Sequence, residues 1–143
     1  MNHSVESTKI TMHETQGCLV VLIQEELSKE AAQRIQKNLL EQVHAKNIKG
    51  VIIDLSGIKI IDSVLWEIFS KTARIIKILG FPSVITGLSP GVVASIIDLN
   101  LDFSDLTTSV NLEDGLEILT QSAEQQVDAE DIENKNIPEN EIE

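Results

Sequence analysis

The residues of this 143-residue chain that could do chemistry are a few acids and hydroxyls at predicted junctions between strands and helices. Asp62 and Ser63 precede an apolar-periodic segment, and Asp54 and Thr86 each follow a run of aliphatic residues. A serine at a helix start meets free backbone N–H groups and the positive end of the helix dipole. Ser63 could therefore carry a phosphate of about −1.5 to −2 charge without unfolding the domain.

Each of these side chains also has a structural interpretation. A serine at the first turn of a helix more often caps orphan amide groups than accepts a phosphate. Asp54 could be a metal-binding or phosphoacceptor carboxylate, but a polar residue that ends a buried strand is the commoner case. No lysine accompanies Asp54 at a recognisable spacing, so an enzyme that uses this carboxylate is a minor alternative.

The sequence lacks the motifs of metal sites, cofactor sites and activated nucleophiles. It contains one cysteine and three histidines, and they do not have the spacing of metal ligands. It has neither a Gly-rich phosphate loop nor the Gly-x-Ser-x-Gly turn of a hydrolase. Cys18 lies in an aliphatic run and is predicted to be a buried small hydrophobe. We therefore expect no catalytic residue, no cofactor and no metal, and we expect a protein that is not an enzyme.

The net charge of the chain limits the classes of partner that it is expected to bind. The formal net charge is −12, and aromatic residues make up 3% of the chain. A chain this acidic is repelled by phosphate backbones and anionic lipid, so nucleic acid and membrane surfaces are not expected as partners. No signal peptide and no apolar run of about 18 residues is visible, which predicts a cytoplasmic protein.

The apolar pattern predicts strands that alternate with helices, an arrangement typical of an α/β domain with a mostly parallel central sheet and flanking helices. In such sheets functional groups gather where strands end and helices begin. The expected strands lie near residues 9–13, 18–24, 51–53, 83–86 and 106–110, with a turn at Gln16-Gly17. The first expected helix begins after Ser28 and ends before 50, and the second runs from about 63 to near 79. The third runs from Pro90 to near 100, and the fourth from 112 to near 120.

Composition divides the chain into three segments. Residues 1–7 are predicted to be a flexible N-terminus, and residues 8–120 form a single domain. Residues 121–143 hold eight acids and one lysine, and so carry seven of the twelve net negative charges. A segment with so few apolar residues cannot bury enough surface to order itself, so we predict a disordered acidic tail.

Several motifs resemble those of STAS domains, the anti-sigma factor antagonist family, and within it the RsbS-like stressosome scaffolds. The landmarks are Asp54-Leu55-Ser56-Gly57, Ile61-Asp62-Ser63 and Thr86-Gly87-Leu88-Ser89-Pro90, and the stretches 18–27, 86–99 and 112–116 are also similar. Free-standing antagonists usually have Asp-Ser-Ser/Thr-Gly around the phosphoacceptor. Here Val64 and Leu65 follow Ser63, a departure that favours the scaffold group.

The resemblance implies a single STAS domain without catalytic activity. It implies phosphorylation of Ser63 by a switch kinase of the RsbT type, with Asp62, Ser63, Val64 and Trp66 in contact with partners. It also implies RsbR-like co-scaffold proteins and self-association into a large hetero-oligomer that regulates a stress response. The alternative is a free-standing antagonist that binds an anti-sigma factor kinase directly.

The sequence does not decide the roles of two residues, Thr86 and Trp66. Thr86 matches a position that carries a second phosphoacceptor threonine in RsbR proteins, although buried polarity at a strand end is its more expected role. Trp66 follows Ser63 by one helical turn, and its spacing fits either the core or a partner surface.

Because its composition cannot form a core, the acidic tail should be dispensable for folding. Truncation after Gln121 should leave the thermal midpoint within about two degrees of the full chain. Differential scanning calorimetry of the two proteins checks this. A fall of about ten degrees would show instead that the tail packs on the domain.

Overall fold

The computed structural model describes residues 10–23 and 27–122. The predicted flexible N-terminus, residues 1–7, lies outside these ranges. Of the predicted acidic tail, only residues 121 and 122 are described, and both are helical.

The described residues form alternating strands and helices, as the apolar pattern predicts. The strands are β1 (Ile10–Thr15), β2 (Cys18–Ile23), β3 (Gly50–Asp54), β4 (Ser83–Thr86) and β5 (Thr108–Ser109). The helices are α1 (Lys29–Ala45), α2 (Ser63–Ile78), α3 (Pro90–Asp98) and α4 (residues 112–122). β5 is shorter than predicted, because it pairs with only the last two residues of β4.

The strands form one five-stranded sheet in the order β1-β2-β3-β4-β5. β1 and β2 are antiparallel, and all the other pairs are parallel. The hairpin between β1 and β2 turns at Gln16 and Gly17, whose φ angles are 54° and 81°. Two consecutive positive φ angles give a turn whose twist matches that of the strands, so the predicted turn is confirmed.

Both faces of the sheet are covered. Every residue of β3 is buried, which explains why its sequence has no polar alternation. One face packs against α1, α2 and α3 in a large aliphatic core. The other face packs against α4 through a smaller cluster: Cys18, Val20, Ile52, Val84, Leu116 and Leu119.

Helices α1 and α2 contact each other through apolar side chains and through a partly buried polar contact of Gln36. Gln36 Nε2 donates a hydrogen bond to Thr72 Oγ1 at 2.9 Å, and the Thr72 hydroxyl donates to the carbonyl of Ile68 at 2.6 Å. Side chains cap the helix starts: Ser28 accepts from the N–H of Ala31, and Ser89 accepts from the N–H of Val92. These caps satisfy amides that lack partners inside the helix and so set where α1 and α3 begin.

Gly115 lets α4 approach the sheet closely. A Cβ at this position would lie 2.7 Å from Thr86 Cγ2 and 3.4 Å from Ile52 Cδ1. We predict that Gly115→Ala lowers the free energy of unfolding by about 1–2 kcal/mol, because overpacking of α4 against the sheet outweighs the better helix propensity of alanine. Urea denaturation measures the change.

Glu117→Ala is the matched control on the same helix, since Glu117 is exposed and its replacement should change stability by less than about 0.5 kcal/mol. A gain in stability for Gly115→Ala would mean that α4 can move away from the sheet without cost.

Candidate functional site

The candidate site lies at the carboxyl ends of β3 and β4 and at the start of α2. The segment from β3 to α2 is held by three buried side chains, Leu55, Ile58 and Ile61. The N–H of Leu55 donates to the carbonyl of Thr86 at 2.9 Å and so extends the pairing between the two strands. The start of α2 is therefore positioned by the core and not by a free loop.

The cap of α2 is Asp62. Its Oδ1 accepts the N–H of Leu65 at 2.8 Å, and its backbone carbonyl accepts the N–H of Trp66 at 3.0 Å. The structural alternative for Ser63, capping of this helix by its hydroxyl, does not hold, because the aspartate already fills that role. An Asp directly before an apolar-periodic segment is itself a signal for a helix N-cap, so the sequence could have indicated Asp62 for this role.

Ser63 is the first residue of α2, and its side chain is exposed. Within the described residues no hydrogen bond to its hydroxyl is formed. A serine that does no capping and lies at a rigid, exposed helix start can be modified without loss of a structural contact. Ser63 thus combines accessibility with a backbone position suited to a negative charge.

The surface next to Ser63 includes exposed apolar side chains. Val64 is 42% exposed and Ile60 is 62% exposed. Asp62, which lies between them in the sequence, is also exposed. A phosphate on Ser63 would place about two further negative charges in this mixed surface. The contact of Asp62, Ser63 and Val64 with a partner stays a prediction.

Trp66 does not belong to this exposed surface. Its side chain is only 2% exposed, and Nε1 donates to the carbonyl of Asp102 at 3.4 Å. The spacing of the sequence had left it open between core and partner contact. The structure packs the indole under the segment that follows α3, with only a small exposed part, and its contact with a partner stays a prediction.

The side chains of Asp54 and Thr86 are both buried at paired positions of β3 and β4. Asp54 Oδ1 accepts the N–H of Ser56 at 2.9 Å and so closes the turn after the strand. Thr86 is fully buried, and Oγ1 has no hydrogen-bond partner. A kinase cannot reach this hydroxyl in the described conformation, which supports the strand-end role for Thr86.

Within residues 10–23 and 27–122, no group of His, Cys, Asp and Glu side chains is arranged to hold a metal ion. Cys18 is fully buried, and burial raises the pKa of its thiol above the ordinary value. No helix in the described part of the chain combines the length and apolar character that crossing a bilayer requires.

Comparison with known proteins gives a consistent result. Residues 9–115 match the family model of the STAS domain. The RsbT co-antagonist protein RsbRD of Bacillus subtilis (strain 168) is 31% identical over 99 residues, which is 68% of this chain. The match covers 35% of that relative, so the chain spans about a third of its length.

Two solved structures share the fold over most of the chain. RsbS from Moorella thermoacetica, in a serine-to-glutamate variant, is 27% identical with a TM-score of 0.71 and covers 81% of this chain and 98% of that chain. A chain from a structure of the stressosome, described as a signal integration and transduction hub, is 26% identical with a TM-score of 0.66. It covers 79% of this chain and 98% of that chain.

Replacement of Thr86 by valine, which has a similar shape but no hydroxyl, tests whether this hydroxyl lacks a hydrogen-bond partner. We predict that Thr86→Val raises the free energy of unfolding by about 1 kcal/mol, because it removes a buried polar atom that makes no hydrogen bond. Thr72→Val is the matched control and should lower it by about 1 kcal/mol, because the Thr72 hydroxyl has two partners. Both are measured by urea denaturation. Destabilisation by Thr86→Val would show that the hydroxyl is satisfied in solution.

Proposed function

The chain belongs to the STAS-domain family, and on that premise we propose that it is a non-catalytic stressosome scaffold. In this proposal it holds a switch serine kinase of the RsbT type and releases it when Ser63 is phosphorylated. Its co-scaffolds are RsbR-like proteins, with which it assembles into a large cytoplasmic hetero-oligomer. The kinase supplies the catalysis, and this chain supplies the acceptor hydroxyl and the docking surface.

The observation that supports the proposal is that the helix cap and the exposed hydroxyl belong to different residues at the start of α2. Asp62 caps the helix, and Ser63 beside it is exposed and bonded to nothing within the described residues. Phosphorylation of Ser63 therefore changes the surface without removal of a cap. The fold is expected to survive the modification, as a reversible switch requires.

Phosphate at Ser63 would act on the partner by electrostatics and desolvation. A partner surface that fits a neutral hydroxyl would have to accommodate a dianion beside the carboxylate of Asp62. A penalty of about 3 kcal/mol would weaken binding more than a hundredfold, enough to release a partner held at moderate affinity.

The assembly part of the proposal is supported by the similar proteins. One is a chain of a stressosome structure, and another is named as a co-antagonist of RsbT. RsbS from Moorella thermoacetica matches over 98% of its own length, which supports an RsbS-like role for this domain. A one-to-one complex with an anti-sigma factor kinase would favour the free-standing antagonist instead.

The test is phosphate incorporation by the RsbT-type kinase of the same genome, mapped by mass spectrometry, together with binding constants. We predict that Ser63→Ala folds normally, binds the kinase as the wild type does and takes up no phosphate. Ser63→Asp should fold as well but bind the kinase at least about tenfold more weakly, since one carboxylate imitates a phosphate incompletely.

Ser89→Ala is the control for hydroxyl loss at another helix start, and it should leave phosphate uptake unchanged. Phosphate found mainly on Thr86 or Ser89, or undiminished uptake by Ser63→Ala, would contradict the proposal.

A further inference from the structure

Helix α3 has apolar side chains both on the side that faces the core and on an adjoining exposed side. Val92 and Ile96 are buried in the core, as expected for a short amphipathic helix. Val93 and Ile97, each next to one of them, are 39% and 63% exposed. The apolar surface of α3 is therefore wider than the part that the core covers, and the rest faces solvent.

The uncovered side of α3 forms one wall of a groove of about 190 Å³. Phe103, which is 47% exposed, and the largely buried Trp66 also line the groove. Leu88, Ile96 and Thr108 complete the lining, so the groove is mostly apolar. Its size suits one or two aliphatic or aromatic side chains and not an extended polar ligand.

Carboxylates lie next to groove-lining residues in the sequence. Asp98 follows Ile97, and Asp102 and Asp105 lie on either side of Phe103. The backbone N–H and hydroxyl of Ser104 donate to Asp102 and hold the pKa of that carboxyl below its ordinary value. Asp105 alone of these acids is described in an ion pair, with Arg74 at 2.8 Å.

The groove is also connected to the start of α2. Trp66 lies one turn after Ser63, and its backbone N–H donates to the carbonyl of Asp62. At the other end of the groove wall, a Cβ on Gly91 would lie 2.5 Å from the carbonyl oxygen of Lys59, so α3 rests directly on the segment that leads to Ser63. A partner that reaches Ser63 therefore has this groove beside it.

We propose that this groove is the anchor site for the switch kinase, which inserts an apolar side chain flanked by lysine or arginine. The inference rests on the proposed function and names the surface that holds the kinase while Ser63 is unmodified. The apolar lining supplies the affinity, and the surrounding carboxylates select a basic partner. A second copy of this chain does not fit, since the same acids would face one another across the contact.

The test compares two isoleucines that are both exposed on helices. Ile97→Gln removes the groove side chain, and Ile78→Gln removes an 83% exposed side chain that is not part of the groove. Both substitutions keep a residue compatible with a helix, and calorimetry verifies the thermal midpoint of each. Affinities for the RsbT-type kinase of the same genome are measured by isothermal titration at two salt concentrations.

We expect Ile97→Gln to weaken binding at least about tenfold and Ile78→Gln to change it less than about twofold. The wild-type affinity should fall as salt is raised. With fluorotryptophan incorporated, the single indole gives one fluorine NMR signal, which should shift when unlabelled kinase is added.

An affinity of Ile97→Gln equal to the wild type, or equal losses in both variants, would overturn the anchor site and leave the proposed function standing. An affinity that does not change at high salt would contradict the proposal that lysine or arginine flanks the inserted side chain of the kinase. Absence of kinase binding to the wild type would overturn the proposed function and the anchor site with it.

Discussion

The complete burial of β3 is the constraint on which the rest of the structure depends. Because no residue of this strand reaches solvent, the chain must cover both faces of the sheet and pair both edges of the strand. Parallel pairing with β2 and β4 then requires helical crossovers, and α1 and α2 supply them. The consequence is that the polar ends of β3 and β4 and the start of α2 meet at one edge.

At that edge the structure separates roles that often fall on one residue. Asp62 does the capping, Asp54 closes the turn after its strand, and Ser63 is left with no structural duty. The rigidity of the segment comes from three aliphatic side chains in the core and not from polar contacts around the serine. A charge added to Ser63 would therefore change the exposed surface while the packing that supports it stays untouched.

The fold and the place of Ser63 at the start of α2 could be predicted from the sequence, because the aliphatic periods and the turn at Gln16-Gly17 are strong local signals. The assignment of the cap could not, since Asp62 and Ser63 are both good capping residues and only the backbone geometry decides between them. The position of Trp66 depended on the path of residues 99–106 over α2, which no periodic pattern indicates. The groove on α3 was missed for a related reason: the pairs Val92-Val93 and Ile96-Ile97 fit a buried helix as well as one with an uncovered side.

The burial of Cys18 has a practical consequence for spectroscopy. Cys18 is the only cysteine of the chain, its thiol is enclosed between the sheet and α4, and burial raises the pKa of that thiol. A maleimide dye or a nitroxide label would thus find no native target in the folded protein. A cysteine introduced on any exposed helix position could be labelled selectively in the otherwise natural sequence, so distances to a bound partner could be measured by energy transfer or electron spin resonance.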